Sequence, residues 1–279
     1  MEPGEERGEV MDLQAQLDGG HLAEAISDGV AAVKASPGNA DLRYRLFAVL
    51  CFAGELHRAR KQLAALDVGD PELSRVQAIY VNLLASEQER RAVFHHGAQP
   101  LLPGEPPPHL TRRLAALAAA GRGEHAQAVD LVEESIALQP ELAGRLNGSP
   151  LGSLRDLDDH LGSFLEVFAG GRYLWLPWER IGTLEVSAPT HLLDLLWLPA
   201  RLTDQGGLTS SIHLPVLYEG SWQGGDARCA TGRLTEWFDG GGGLLRGRGQ
   251  RLLGWSSPAG DVADLPVLEL RTLELGAAP

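Results

Sequence analysis

Three stretches of this chain repeat one spacing: Gly20, Ala25 and Pro37; Gly54, Ala59 and Pro71; Gly123, Ala128 and Pro140. The glycines lie 34 and then 69 residues apart. That is the tetratricopeptide period, with one degenerate copy in the middle, and each copy is a pair of packed helices. Glycine relieves the tight turn between the two helices because it takes positive φ without a Cβ clash. Alanine sits where the second helix crosses the first at close range. Proline marks the boundary to the next pair, where a missing N–H costs little. A helical repeat array is first of all a binding scaffold.

The spacing predicts repeats over residues 6–39, 40–73, 74–108 and 109–141. Apolar stripes mark the helices: Val10, Leu13 and Leu17, then Leu22, Ile26 and Val30 in the first; Leu42, Leu46, Val49 and Leu50, then Leu63 and Leu66 in the second. The third keeps helical spacing from Val76 to Leu84, loses the glycine and alanine, and ends in Pro106-Pro107-Pro108, which no helix crosses.

At 279 residues and 44% hydrophobic content the chain can fill two ordinary cores. With 24 Lys and Arg against 37 Asp and Glu, its net charge of −13 repels a phosphate backbone and argues against a nucleic-acid partner. Met1 to Val10 carries four glutamates and no apolar segment, unlike a signal peptide. No apolar stretch approaches the roughly 20 residues needed to span a bilayer, so no membrane insertion is expected. Cys51 and Cys229 are too few for a disulfide framework, and a reducing cytoplasm is the expected location.

After the loop signal Asn147-Gly148-Ser149-Pro150 the composition changes, and all six tryptophans follow from Trp175 onward. An amphipathic helix is expected from Ser153 to Ala169. Short strands are expected at Tyr173–Trp178, Ile181–Val186, Leu195–Leu198, Ile212–Tyr218 and Leu265–Leu275. The expected fold is a multidomain α and β chain: a TPR-like α-solenoid over residues 1–145, then a Trp-rich α+β domain over 146–279 with a small antiparallel, barrel-like sheet.

Candidate chemistry is sparse. Gly121-Arg122-Gly123-Glu124-His125-Ala126 has dinucleotide-fingerprint spacing, but a helix precedes it and the repeat turn explains it. Gly240 to Gly243 reads as a flexible hairpin, without the ending of a phosphate loop. His95 and His96 have no carboxylate or cysteine nearby in sequence and read as solvated. Asp156, Asp158, Asp159 and His160 form the densest polar cluster. They lack the glycine and glutamate positions of a calcium loop and are read as acids stabilising the start of the expected helix. A metal-dependent enzyme built on Asp156, Asp158 and His160 is the lesser alternative. No nucleophile with its base stands out, no cofactor or metal is expected, and the chain is read as a non-enzyme.

Binding residues are sought on two surfaces. First helices line the concave side of such arrays, which points to Asp41, Tyr44, Ala48 and Cys51 unless these are ordinary surface. Strand alternation puts Tyr173 and Trp175 on one face, where with Trp197 they either form an aromatic contact surface or fill the core. A generic peptide-binding co-chaperone reading would need convergent basic residues, and only Arg43 and Arg45 offer themselves.

Several phrases carry a resemblance. They include Leu42-Arg43-Tyr44-Arg45-Leu46-Phe47, the run from Leu50 to Glu55, Asn147-Gly148, Asp156 and Asp158 with Leu161-Gly162, and Gly171-Arg172-Tyr173-Leu174-Trp175-Leu176-Pro177. Asp194-Leu195-Leu196-Trp197-Leu198-Pro199-Ala200 and Pro215-Val216-Leu217-Tyr218 complete it. From Leu42 to Trp237 the chain resembles the ImpE family, also called SciE-type or TagJ-like accessory proteins of bacterial type VI secretion. The resemblance implies a cytoplasmic adaptor that binds the N-terminal helix of the small contractile-sheath subunit and associates with a ClpV-type AAA+ ATPase. It also draws Asp156 and Asp158 into the candidate partner-binding set. Leu151 and Ser153 stand where aromatic residues are expected, and Trp178 where phenylalanine is usual.

Overall fold

The computed structural model describes residues 13, 15–66 and 69–276. Val10 and the N-terminal glutamates lie outside these residues. A helical segment over residues 15–18 leads into α1 (Leu22–Ala35), α2 (Ala40–Phe52), α3 (Leu56–Ala64), α4 (Pro71–His96), α5 (Pro108–Gly121) and α6 (His125–Ala137). Gly20, Gly54 and Gly123 have φ of +77°, +69° and +78°, the left-handed turn for which glycine is needed. Ala25, Ala59 and Ala128 are buried at the helix crossings. The side chain of Asn39 caps α2 by accepting from the amides of Asp41 and Leu42, and Asp70 caps α4 ahead of Pro71. The degenerate third copy is a single 26-residue helix, α4, which closes with Gly97 in the left-handed conformation.

Strands begin at Gly144, so the expected division at 145/146 falls inside the first of them. They are β1 (Gly144–Leu146), β2 (Ser149–Leu151), β3 (Ser153–Asp156), β4 (Phe164–Ala169), β5 (Arg172–Pro177), β6 (Ile181–Val186), β7 (Trp197–Asp204) and β8 (Thr209–Pro215). After the short α7 (Ala227–Ala230) come β9 (Thr235–Asp239), β10 (Leu245–Gly249), β11 (Leu252–Ser256), β12 (Val262–Pro266) and β13 (Thr272–Leu275). An eight-stranded antiparallel sheet has the order β2-β1-β13-β6-β7-β8-β4-β5. Its end strands β2 and β5 do not pair with each other, so the sheet is open and no barrel closes. A β12-β11-β3 sheet and the β9-β10 hairpin complete the half. Leu101 bridges to Leu174, so the loop before α5 covers the β5 edge.

The expected helix from Ser153 to Ala169 does not form. Its apolar residues follow helical spacing, but Asp156 Oδ1 accepts from the Asp158 amide and Asp158 Oδ1 from the His160 amide. These two side-chain turns compete with helical bonding and fold the segment into β3, a tight corner and β4. The continuous run Phe164 to Phe168 is buried on both faces, a pattern that a helix and an interior strand share. The expected strand at Leu195–Leu198 is a 3₁₀ turn, Leu192–Leu195, followed by β7. The one expected over Leu265–Leu275 is cut by the 3₁₀ turn Val267–Glu269 into β12 and β13, which join different sheets.

One hydrophobic core runs through both halves, from Leu17 to Leu275. α4 is the seam: its N-terminal part packs on α3 and its C-terminal part on β4 and β5.

Candidate interaction surface

α2 is buried without interruption from Leu46 to Phe52, which is unusual for the inner helix of an open array. The reason is that the chain fills its own hollow. Cys51 and Phe52 line one small cavity with Leu196, Trp197, Leu217, Tyr218 and Trp222 of the strand-rich half. Tyr44 and Tyr80 share a hydroxyl hydrogen bond of 3.1 Å, and burial together with the nearby Asp194 raises both phenols above their usual range. At the α2–α3 turn, a Cβ on Gly54 would lie 2.5 Å from the Trp222 ring, and Arg91 stacks 3.7 Å from that ring's centroid. Burial pushes the Cys51 thiol well up and leaves it inert.

Of the sequence candidates, Asp41 is exposed and Tyr44 half-buried, whereas Ala48, Cys51, Asp156, Asp158, Tyr173, Trp175 and Trp197 are buried. Tyr173 and Trp175 do share a strand face, but that face points inward. Trp175 stacks on Phe164 at 3.8 Å and donates its indole N–H to Tyr173 Oη. The aromatic pair therefore belongs to the core and presents no contact surface.

Asp156 and Asp158 are likewise interior and are not first-turn helix acids. Asp156 Oδ2 accepts from Arg251 Nε and Nη2 at 3.0 and 2.8 Å, and Asp158 Oδ2 accepts from Arg246 Nε at 2.8 Å and the Gly247 amide at 3.0 Å. Two of the three donors of the metal alternative, Asp156 and Asp158, are thus paired with arginine. Among the described residues no group of three His, Cys, Asp or Glu is placed to hold a metal ion.

Arg251 is also 3.2 Å from Glu166 Oε2, and Glu166 in turn accepts from Arg90 Nε at 2.7 Å and from Tyr173 Oη at 2.6 Å. The result is a buried chain of alternating charge, Asp156, Arg251, Glu166 and Arg90, which fastens α4 to β3, β4 and the β10–β11 connection. Burial works against ionisation of Glu166, yet the two guanidiniums overcome it and hold its carboxyl below the usual range. Burial raises Asp156 to about 6 against the pull of Arg251, so it is a carboxylate at neutral pH. Sequence inspection missed this network. Its one signal was Glu166, a charge inside the run Phe-Leu-Glu-Val-Phe. His95, read as solvated, meets Glu219 at 2.8 Å, a partner remote in sequence.

His160 is buried beside Asp158, and neither ring nitrogen has a hydrogen-bond partner. Burial foremost, then the Arg246 charge, pushes its pKa down to about 3. The unfolded ring takes a proton near pH 6.5 and the folded one resists it, so this residue's contribution is complete above that value and is lost as pH falls toward 3. Asp156, held up near 6, acts in the opposite sense over part of the same window, so the ring itself is the clean reporter of this effect. In ¹H–¹⁵N spectra of imidazole resonances the His160 ring should stay neutral from pH 8 to pH 5. A ring titrating near 6.5 would show that the site is hydrated.

An open apolar stripe lies on the N-terminal half of α4, where Leu73, Val76 and Ile79 are 55%, 43% and 44% exposed. They continue the face that Leu83 and Leu84 bury further along the same helix. No helix of the described residues is long and apolar enough to cross a membrane.

Residues 16–83 match the tetratricopeptide-repeat model, and residues 148–274 match the model described as ImpE protein. The type VI secretion system accessory component TagJ of Pseudomonas aeruginosa is 37% identical over 227 residues, covering 81% of this chain and 80% of TagJ. The crystal structure of protein VPA1032 from Vibrio parahaemolyticus superposes with a TM-score of 0.84 at 25% identity, covering 95% of this chain and 97% of that one. Repeats, open sheet and shared sequence thus run together over most of the molecule, and the chain belongs to the ImpE family of type VI secretion accessory proteins.

Proposed function

We propose that this chain is a non-enzymatic cytoplasmic adaptor that captures the N-terminal helix of the small contractile-sheath subunit and connects it to the ClpV-type AAA+ ATPase. The observation that carries this reading is the uncovered stripe Leu73, Val76 and Ile79 on a chain similar to a type VI secretion accessory component. An amphipathic helix buries its own apolar anchors against such a stripe. The hollow of the repeat array, the first choice on sequence grounds, is filled by the chain's own Leu196, Trp197 and Trp222, so the outer α4 face takes its place in this reading.

The test is a fluorescence-anisotropy titration of the full chain with a labelled peptide spanning the sheath subunit's N-terminal helix. Saturable binding in the micromolar range is expected, equivalent to about −8 kcal/mol. Absence of binding at several hundred micromolar would remove the proposal. For the second link, ATPase retained on immobilised adaptor should increase when the peptide is added.

A further inference from the structure

Where the helices meet the sheet there is a cavity of about 220 Å³. Its walls come from the start of α5, the linker after α6, Gly152 with the first two residues of β3, the residue before β4 and the 3₁₀ turn Trp178–Arg180. None of its lining residues belongs to α4, so it is separate from the exposed stripe. Junctions between layers are where ligand cavities concentrate.

Two buried polar groups in this wall are unsatisfied. His109 is buried and its Nε2 lies 2.6 Å from Glu179 Oε1, while its Nδ1 has no hydrogen-bond partner. Ser163 is buried as well, and its Oγ has none. Buried polar atoms without partners are rare enough in folded chains to require an explanation. The charges of the wall point one way. It contains the carboxylates of Glu141 and Glu179 and no lysine or arginine. In the neutral ring that directs its Nε2–H at Glu179, Nδ1 carries a lone pair, so that nitrogen, the hydroxyl and the carboxylates are all acceptors. Trp178 is buried in the same wall, with its indole N–H already donated to the Gly162 carbonyl at 3.1 Å, and aromatic faces attract cations.

We propose that this cavity binds an alkylammonium group, either of a free amine or of a lysine side chain. An ammonium carries three donors and no acceptor. It would serve His109 Nδ1, Ser163 Oγ and the Glu179 carboxylate together, with its alkyl stem against Leu154 and Trp178.

The experiment titrates n-butylammonium chloride into the full chain and follows the Trp178 indole N–H by NMR, with Nα-acetyl-lysine methylamide, sodium butyrate and 1-butanol as parallel arms. A saturable shift with butylammonium at millimolar concentration is expected, with none from butyrate or butanol. Equal or tighter binding of the blocked lysine assigns the site to a polypeptide side chain, and binding of butylammonium only assigns it to a free amine. Glu179→Gln should weaken binding at least tenfold. Exposed Glu141→Gln, a substitution that leaves the buried wall untouched, should weaken it severalfold and serves if the first variant does not fold. No saturable shift, an equal response to butyrate or butanol, or unchanged affinity in the folded variants would overturn the proposal.

Discussion

Replacing Arg251 with Met should lower the midpoint of thermal unfolding by roughly 10 °C, followed by circular dichroism at pH 7.5. The guanidinium is buried and touches two carboxylates, Asp156 at 2.8 Å and Glu166 at 3.2 Å. Removing one partner of a buried pair leaves an uncompensated charge in the interior, at a cost of about 3–5 kcal/mol. For a chain of this size each kcal/mol corresponds to about 2–4 °C. Asp156 bears most of the loss, because Glu166 keeps Arg90 and the Tyr173 hydroxyl. Arg251→Met combined with Asp156→Asn should therefore be less damaging than the two single losses added together. Additive losses, or a shift of only a degree or two in Arg251→Met, would mean that the network is hydrated and contributes little.

The second large effect concerns binding. Val76→Glu combined with Ile79→Glu should reduce affinity for the sheath-subunit peptide at least 100-fold, about 2.7 kcal/mol, with the unfolding midpoint changed by no more than a degree or two. Both side chains are more than two-fifths exposed, so a carboxylate there stays hydrated in the free protein and is stripped of water only in the complex. Surface changes away from special features are close to neutral for stability. Val262, 78% exposed on β12, provides the control: Val262→Glu should leave affinity untouched. If the α4 double variant binds like the wild type, the helix sits elsewhere. If it binds weakly but has also unfolded, the single substitution Leu73→Glu at the most exposed of the three positions repeats the test.

The repeat half was legible because its signals are local. Gly20, Gly54 and Gly123 specify turns within one helix pair, and Ala25, Ala59 and Ala128 specify crossings within the same pair. β6 could be placed at Ile181–Val186 because alternation and flanking turn residues act over a few positions. Ser153 to Ala169 failed for a physical reason: spacing cannot distinguish an amphipathic helix from a strand buried on both faces. There the hydrogen bonds of two aspartates to amides two residues ahead decided the outcome. His95 is exposed, as expected, but its carboxylate, Glu219, arrives from the other half of the chain, and no local spacing signals that pairing.

What the sequence determined by itself, then, is the helical period, its turn glycines, the tryptophan-rich strand half and the family phrases, all set by interactions between residues near in the chain. Tertiary structure decided which surfaces are free. It brought Leu196, Trp197 and Trp222 into the hollow of the repeats, turned Tyr173 and Trp175 inward, and closed the chain of charge from Arg90 to Asp156 out of segments 76 to 95 residues apart. Burial and charge pairing are properties of neighbours in space, and no spacing along the chain specifies them.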